Sequence, residues 1–147
     1  MSNQYSEEYL AYKINFNTNK ISELRAKLEK IDINIDEYDA LRENLEEAIE
    51  KLTESQKDGE TGKEYLHMGL SGNKAQSITR SINLTIEGIE TVISELIQIQ
   101  SNSDTEQNKL VEEYESLKQQ IASLERETGY LRHELNMLAK RRTNEIN

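Results

Sequence analysis

Residues 24–35 read Leu24-Arg25-Ala26-Lys27-Leu28-Glu29-Lys30-Ile31-Asp32-Ile33-Asn34-Ile35. Leu24, Leu28, Ile31 and Ile35 stand alternately four and three residues apart, with charged and polar residues filling most of the gaps. That spacing places one narrow apolar stripe on a helix, and such a stripe is stable only when buried against another helix. The same seven-residue repeat extends in both directions. Its d positions are Leu10, Asn17, Leu24, Ile31, Tyr38, Leu45 and Leu52, and its a positions are Ile14, Ile21, Leu28, Ile35, Arg42 and Ile49. Eleven of the thirteen are aliphatic or Tyr in a chain that is 35% hydrophobic, so the repeat is not a product of composition. Ser6, followed by Glu7 and Glu8, supplies a cap and early negative charge for a helix start. The sequence leaves open whether Asn17 and Arg42 sit inside the stripe and fix its register or lie at flanking sites.

Downstream, Ser55-Gln56-Lys57-Asp58-Gly59-Glu60-Thr61-Gly62-Lys63 carries turn chemistry and no apolar periodicity, which predicts a boundary there. A second heptad run follows. It has Ile82, Ile89, Leu96, Ser103, Leu110, Leu117, Leu124, Leu131 and Leu138 at d. Its a positions are Ile86, Ile93, Gln100, Gln107, Tyr114, Ile121, Thr128 and Leu135. The register is kept through the polar Ser101–Asp104 stretch, which favours one long helix. Ser103-Asp104-Thr105-Glu106 is also a capping box, which favours two. The expected fold is all-α: an elongated antiparallel hairpin or thin coiled-coil bundle in one domain, 1–147. Its parts are a helix over 6–54, a turn over 55–71 and a long helix over 72–143, either continuous or broken at 101–104.

The two runs differ in width. Between Ile78 and Ile99 apolar residues spread beyond a and d to Leu84, Val92, Ile97 and Ile99, a face wide enough for more than one neighbour. A first helix ending near residue 54 would pair Leu24, Leu28, Ile31 and Ile35 with Ile86, Ile89, Ile93 and Leu96. It would leave Leu124, Leu131, Leu135 and Leu138 without an internal partner. Leu84, Val92 and Ile99, together with that leftover seam, are therefore the expected partner-binding residues.

Composition narrows the function classes. The net charge of -10 argues against nucleic-acid binding, which needs a basic face. With no cysteine there is no thiolate metal site, disulfide or cysteine nucleophile. The apolar stretch from Ile78 to Ile99 is interrupted by Arg80, Glu87, Glu90 and Glu95, so no membrane insertion is expected. The polar, acidic Met1–Glu8 does not read as a signal peptide, and a cytoplasmic location is expected. His67 and His133 each lack a second ligand at metal spacing, and Gly59–Lys63 lacks the spacing of a phosphate loop. Glu43, Glu46, Glu47, Glu50 and Glu54 read as a solvated face. No catalytic constellation, cofactor site or metal site emerges, and an enzyme is not expected.

Leu70-Ser71-Gly72-Asn73-Lys74-Ala75-Gln76-Ser77-Ile78 stands where the second helix begins. Gly72 permits a non-helical backbone angle there, Ala75 is small, and Ile78 opens the apolar face. This stretch resembles the WXG-type proteins of type VII secretion, helical hairpins with Trp-x-Gly at the bend. It is most similar to the YwqH-like small proteins that accompany LXG toxins, which carry Trp-x-Gly-x-x-Ala-x-x-Phe. Gly72 and Ala75 match that pattern, while Leu70 and Ile78 replace its Trp and Phe. The resemblance implies an adaptor that binds the helical N-terminal domain of an LXG toxin, with a second small helical adaptor as a further partner and co-secretion as a further outcome. It also offers Tyr130-Leu131-Arg132-His133-Glu134 as a match to the family's Tyr-x-x-x-Asp/Glu export signal. Such a short pattern recurs by chance in a chain with 7 Tyr and many acidic residues, and Tyr130 reads better as an ordinary flank of the Leu131 seam. The competing class is a structural coiled coil that self-associates as a homo-oligomer, which the heptads alone support as well.

Overall fold

The computed structural model describes residues 6–69 and 72–146. Two helices make up nearly all of them, α1 (Glu7–Gly69) and α2 (Asn73–Ile146). The fold is all-α, an antiparallel helical hairpin. Ser6 caps α1 as expected: the Tyr9 amide donates to Ser6 Oγ at 3.1 Å, and the Leu10 amide to the Ser6 carbonyl at 3.0 Å.

The first correction concerns the turn over 55–71. α1 runs unbroken through Ser55–Lys63 and ends only at Gly69. The heptad explains why, because its phase survives in residues that are not apolar. Gln56 and Lys63 take the a positions and Gly59 and Leu66 the d positions, and all four are partly buried. Gly59 acts as a hole in the seam. A Cβ built on it would lie 3.2 Å from Ile86 Cγ1 and 3.3 Å from Ile86 Cδ1, so Ile86 fills the space a side chain would take. Glycine inside a helix costs about 1 kcal/mol relative to alanine. Here that cost is offset by the close approach of a buried isoleucine.

The bend lies between Gly69 and Asn73. Gly72 adopts φ +85°, the left-handed region that glycine occupies without steric penalty, and its carbonyl accepts the first helical hydrogen bond of α2 from the Gln76 amide at 3.2 Å. Leu70 lies outside the described residues, so the first position of the motif has no structural account. α2 is continuous through 101–104. The capping box at Ser103 does not start a helix, and within this stretch the Asp104 carboxylate accepts from Arg42 Nε at 3.0 Å and Nη2 at 2.9 Å.

The chain forms two compact units, and their boundaries fall inside both helices rather than at a linker. One joins Met1–Ile35 with Lys109–Asn147. Its core is Ile21, Leu24, Ile31, Leu117 and Ile121, with Leu28, Ile35, Leu110, Tyr114 and Leu124 packed against it. The pairing of Leu24–Ile35 with Ile86–Leu96 is thereby overturned. Moving the bend from the Asp58-Gly59 region to Gly72 shifts the residues that face one another. The same shift removes the expected unpartnered seam. Leu131, Leu135 and Leu138 are half-buried, Leu10 is fully buried, and Glu7 pairs with Arg142 at 2.9 Å. Asn17, 1% exposed, lies within the stripe and not at a frayed end. The second unit, Asp36–Asn108, contains the bend and every residue of the surface described next.

Candidate partner-binding surface

In the Asp36–Asn108 unit the heptad assigns each helix two flanks. With Ile86 and Ile93 at a and Ile89 and Leu96 at d, the g positions of α2 are Ile78, Thr85, Val92 and Ile99. With Leu45 and Leu52 at d and Ile49 at a, the g positions of α1 are Leu41, Ala48, Ser55 and Gly62. In an antiparallel pair the g positions of both helices border the seam on one side and the e positions on the other.

Apart from the exposed Ile97, the e side is polar and tied across the helices. Lys63 Nζ donates to Asn83 Oδ1 and Gln56 Nε2 to Glu90 Oε1, both at 2.8 Å. Arg42, at a, reaches Asp104 and Gln107 on α2 and Asp39 on its own helix, and Gln107 Nε2 donates to Asp39 Oδ1 at 2.7 Å. This layer answers the question the sequence left about Arg42, which is partly buried and bonded across the seam. The hydrogen bond to Asp104 raises the Arg42 pKa above its ordinary value. Desolvation opposes that effect, and the charges of Asp104, Asp39 and Glu46 add to it. Bonds this specific oppose a slip of one helix along the other, since a slip would strand the guanidinium in an apolar layer.

The g side has another character. None of its eight residues is charged, and Leu41, Ile78, Val92 and Ile99 remain exposed, the last three by 42%, 42% and 46%. Ala48 and Gly62 keep the α1 half of the strip low. Leu84, 63% exposed, stands at an f position on the outer face of α2 and is not part of this strip. Hairpin formation has buried the a and d residues and left this second apolar face uncovered in the chain itself. Large exposed apolar residues aligned on one face are the surface signature of a contact yet to be made.

Of the expected partner-binding residues, Val92 and Ile99 share one strip, Leu84 is exposed on a different face of α2, and Leu124, Leu131, Leu135 and Leu138 are partly buried within the other unit. The α1 half of the strip escaped sequence reasoning because the helix was expected to stop at residue 54. Leu66, two heptads after Leu52 and in phase with it, was the available signal. Ala75 is buried at the start of α2, and Ile78 heads the exposed strip. Tyr130 and Glu134 lie on consecutive turns of α2, both exposed.

Near the bend, His67, Gly72, Ala75, Thr79 and Arg80 help line an open groove of about 520 Å³. Its walls carry no carboxylate to pair with His67 for proton transfer. Among the described residues no group of three His, Asp or Glu side chains is placed to hold a metal ion, and no helix is long and apolar enough to cross a membrane. Compared with protein-family models, with curated proteins and with solved structures, the chain matches none. What can be said of its class is therefore what the fold and the surface define: a helical hairpin with an uncovered apolar strip.

Proposed function

We propose that this chain is a helical adaptor that binds the N-terminal helical domain of an LXG-type toxin and presents it to a type VII secretion machine. The observation that carries the reading is the exposed, uncharged strip containing Ile78, Val92 and Ile99, left over once the hairpin has satisfied its own seam. A partner helix laid along it would bury several aliphatic side chains, each contributing about 1.5–3 kcal/mol when fully removed from water. The resemblance over Leu70–Ile78, carried by Gly72 and Ala75, suggests the identity of the partner. Gly72, with its positive φ immediately before α2, fills the role that glycine has in the bend of that family. In this reading Tyr130 and Glu134 form an export signal, and a second small adaptor completes the assembly.

The test is affinity purification of the tagged chain from its own host, with mass spectrometry of what co-purifies. A large polymorphic toxin retained through its helical N-terminal region is the expected result. Recovery of further copies of the chain alone would replace the adaptor with a self-associating coiled coil.

A further inference from the structure

The charge of this protein is unevenly distributed. Asp36–Asn108 holds sixteen acidic and six basic residues, a net charge of -10, whereas Met1–Ile35 with Lys109–Asn147 holds twelve of each. The whole net charge of the molecule therefore belongs to the unit that carries the uncovered apolar strip. The strip itself is neutral. The c positions of the heptad border it, and there the exposed Glu37 and Asp58 of α1 and Glu95 of α2 stand against one lysine, Lys51.

We infer that the strip running from Ile78 to Ile99, with Leu41 across the seam, is the seat of a helix from another protein whose apolar stripe is flanked by lysine and arginine. Ile78 to Ile99 covers about 32 Å of helix, so the occupant is a segment of roughly six turns. Aliphatic residues on that segment would sit against Val92 and Ile99, and its basic flanks would lie over Glu37, Asp58 and Glu95. A second copy of this chain fits the same place poorly. Two such units would bring -10 against -10, and like-charged surfaces oppose association and slow encounter. Charge thus selects among helical partners, and the apolar strip holds the one selected.

The inference rests on the adaptor reading and sharpens its partner. It is tested with the full chain and two synthetic helices of about 21 residues, each with Leu at a and d. One carries Lys at e and g, and the other carries Glu there. The expected result is that the Lys helix binds, more weakly as salt is raised, and the Glu helix does not. Val92→Glu with Ile99→Glu should weaken the Lys helix at least tenfold while the circular dichroism of the chain is unchanged, both side chains being exposed. The new glutamates would by themselves attract lysine, so a loss of binding reports the apolar seat. Equal binding of the two helices, binding that survives the double substitution, or no binding of either overturns the inference. So does a dimer of the chain in sedimentation analysis that the double substitution dissociates. Two outcomes separate this inference from the reading beneath it. A toxin helical domain that binds equally well to V92E/I99E leaves the adaptor reading standing and removes the strip from it. A Lys helix seated on the strip, with no toxin domain binding the chain, does the reverse.

Discussion

At the scale of single residues, glycine and asparagine show how one side chain carries different meanings in one fold. Gly72 is needed for its backbone. At φ +85° an alanine is strained by roughly 1–2 kcal/mol, so Gly72→Ala should lower the urea midpoint. Gly129 is the opposite case, a helical glycine whose Cβ would meet nothing within 4 Å. Gly129→Ala should raise stability by about 0.5–1 kcal/mol through helix propensity alone. If the two alanines shift the midpoint in the same direction, the assignment of Gly72 to a left-handed position is wrong. Asn17 is a buried amide at a d position, and its Nδ2 has no hydrogen-bond partner among the described residues. An unsatisfied buried donor costs about 1–3 kcal/mol. Asn17→Leu is therefore expected to increase stability in urea by about 1 kcal/mol. It should also multiply the amide peaks in a nitrogen–proton correlation spectrum, because a polar residue that penalises wrong registers has been removed. A less stable variant would mean that packing at this site, not the amide, decides the outcome.

At the scale of the elements, the decisive contact is Gly59 with Ile86. Gly59→Leu places a large side chain where Ile86 already sits, and overpacking of this kind costs about 1–3 kcal/mol. Ile86→Ala alone should also destabilise, by leaving a cavity beside Gly59. The two together should be less destabilising than the sum of the single changes, a coupling that thermal denaturation of the four proteins measures directly. Additive effects would mean that the two positions do not share the space. This contact also explains which parts of the fold could be read from residues alone. Heptads of aliphatic residues named both helices and their antiparallel pairing, because an apolar stripe has one physical use in water, and Ser6 named the start of α1. The end of α1 was misread because Gln56, Gly59 and Lys63 occupy seam positions without being apolar, and the turn chemistry of Asp58-Gly59 was the stronger local signal. One misplaced end then displaced every cross-helix pair. It assigned Leu24 and Ile31 to the wrong stretch of α2 and left Leu124–Leu138 apparently free. The exposed strip survived the error, since Val92 and Ile99 lie off the seam whichever residues face it, but its α1 half was invisible without the correct pairing.

At the scale of the whole molecule, the separation of charge predicts that the two units respond oppositely to salt. In the Asp36–Asn108 unit, sixteen acidic residues against six basic ones make the net interaction among surface charges repulsive, despite local pairs such as Arg42–Asp104 at 2.9 Å. Screening shortens the reach of that repulsion from about 10 Å at 0.1 M to about 3 Å at 1 M ionic strength, so added sodium chloride should stabilise this unit. The other unit is balanced and tied across its helices by the ion pairs Glu7–Arg142, Lys13–Glu127 and Arg25–Glu125. Exposed pairs of this kind contribute about 0–1 kcal/mol each, and salt weakens them. Amide hydrogen exchange resolves the two effects, because local opening is read residue by residue. Between low and high salt, protection should rise for amides of residues 36–69 and 73–108, and stay level or fall for those of 7–35 and 109–146. Charge-neutralising substitutions at Glu47 and Glu54 should reproduce the gain at low salt and make it insensitive to further salt. A uniform response along both helices would show instead that the hairpin opens as one cooperative body, with the imbalance averaged over its length. In that event the acidic unit would still attract basic partners, but the surplus charge would not make it the more easily opened half.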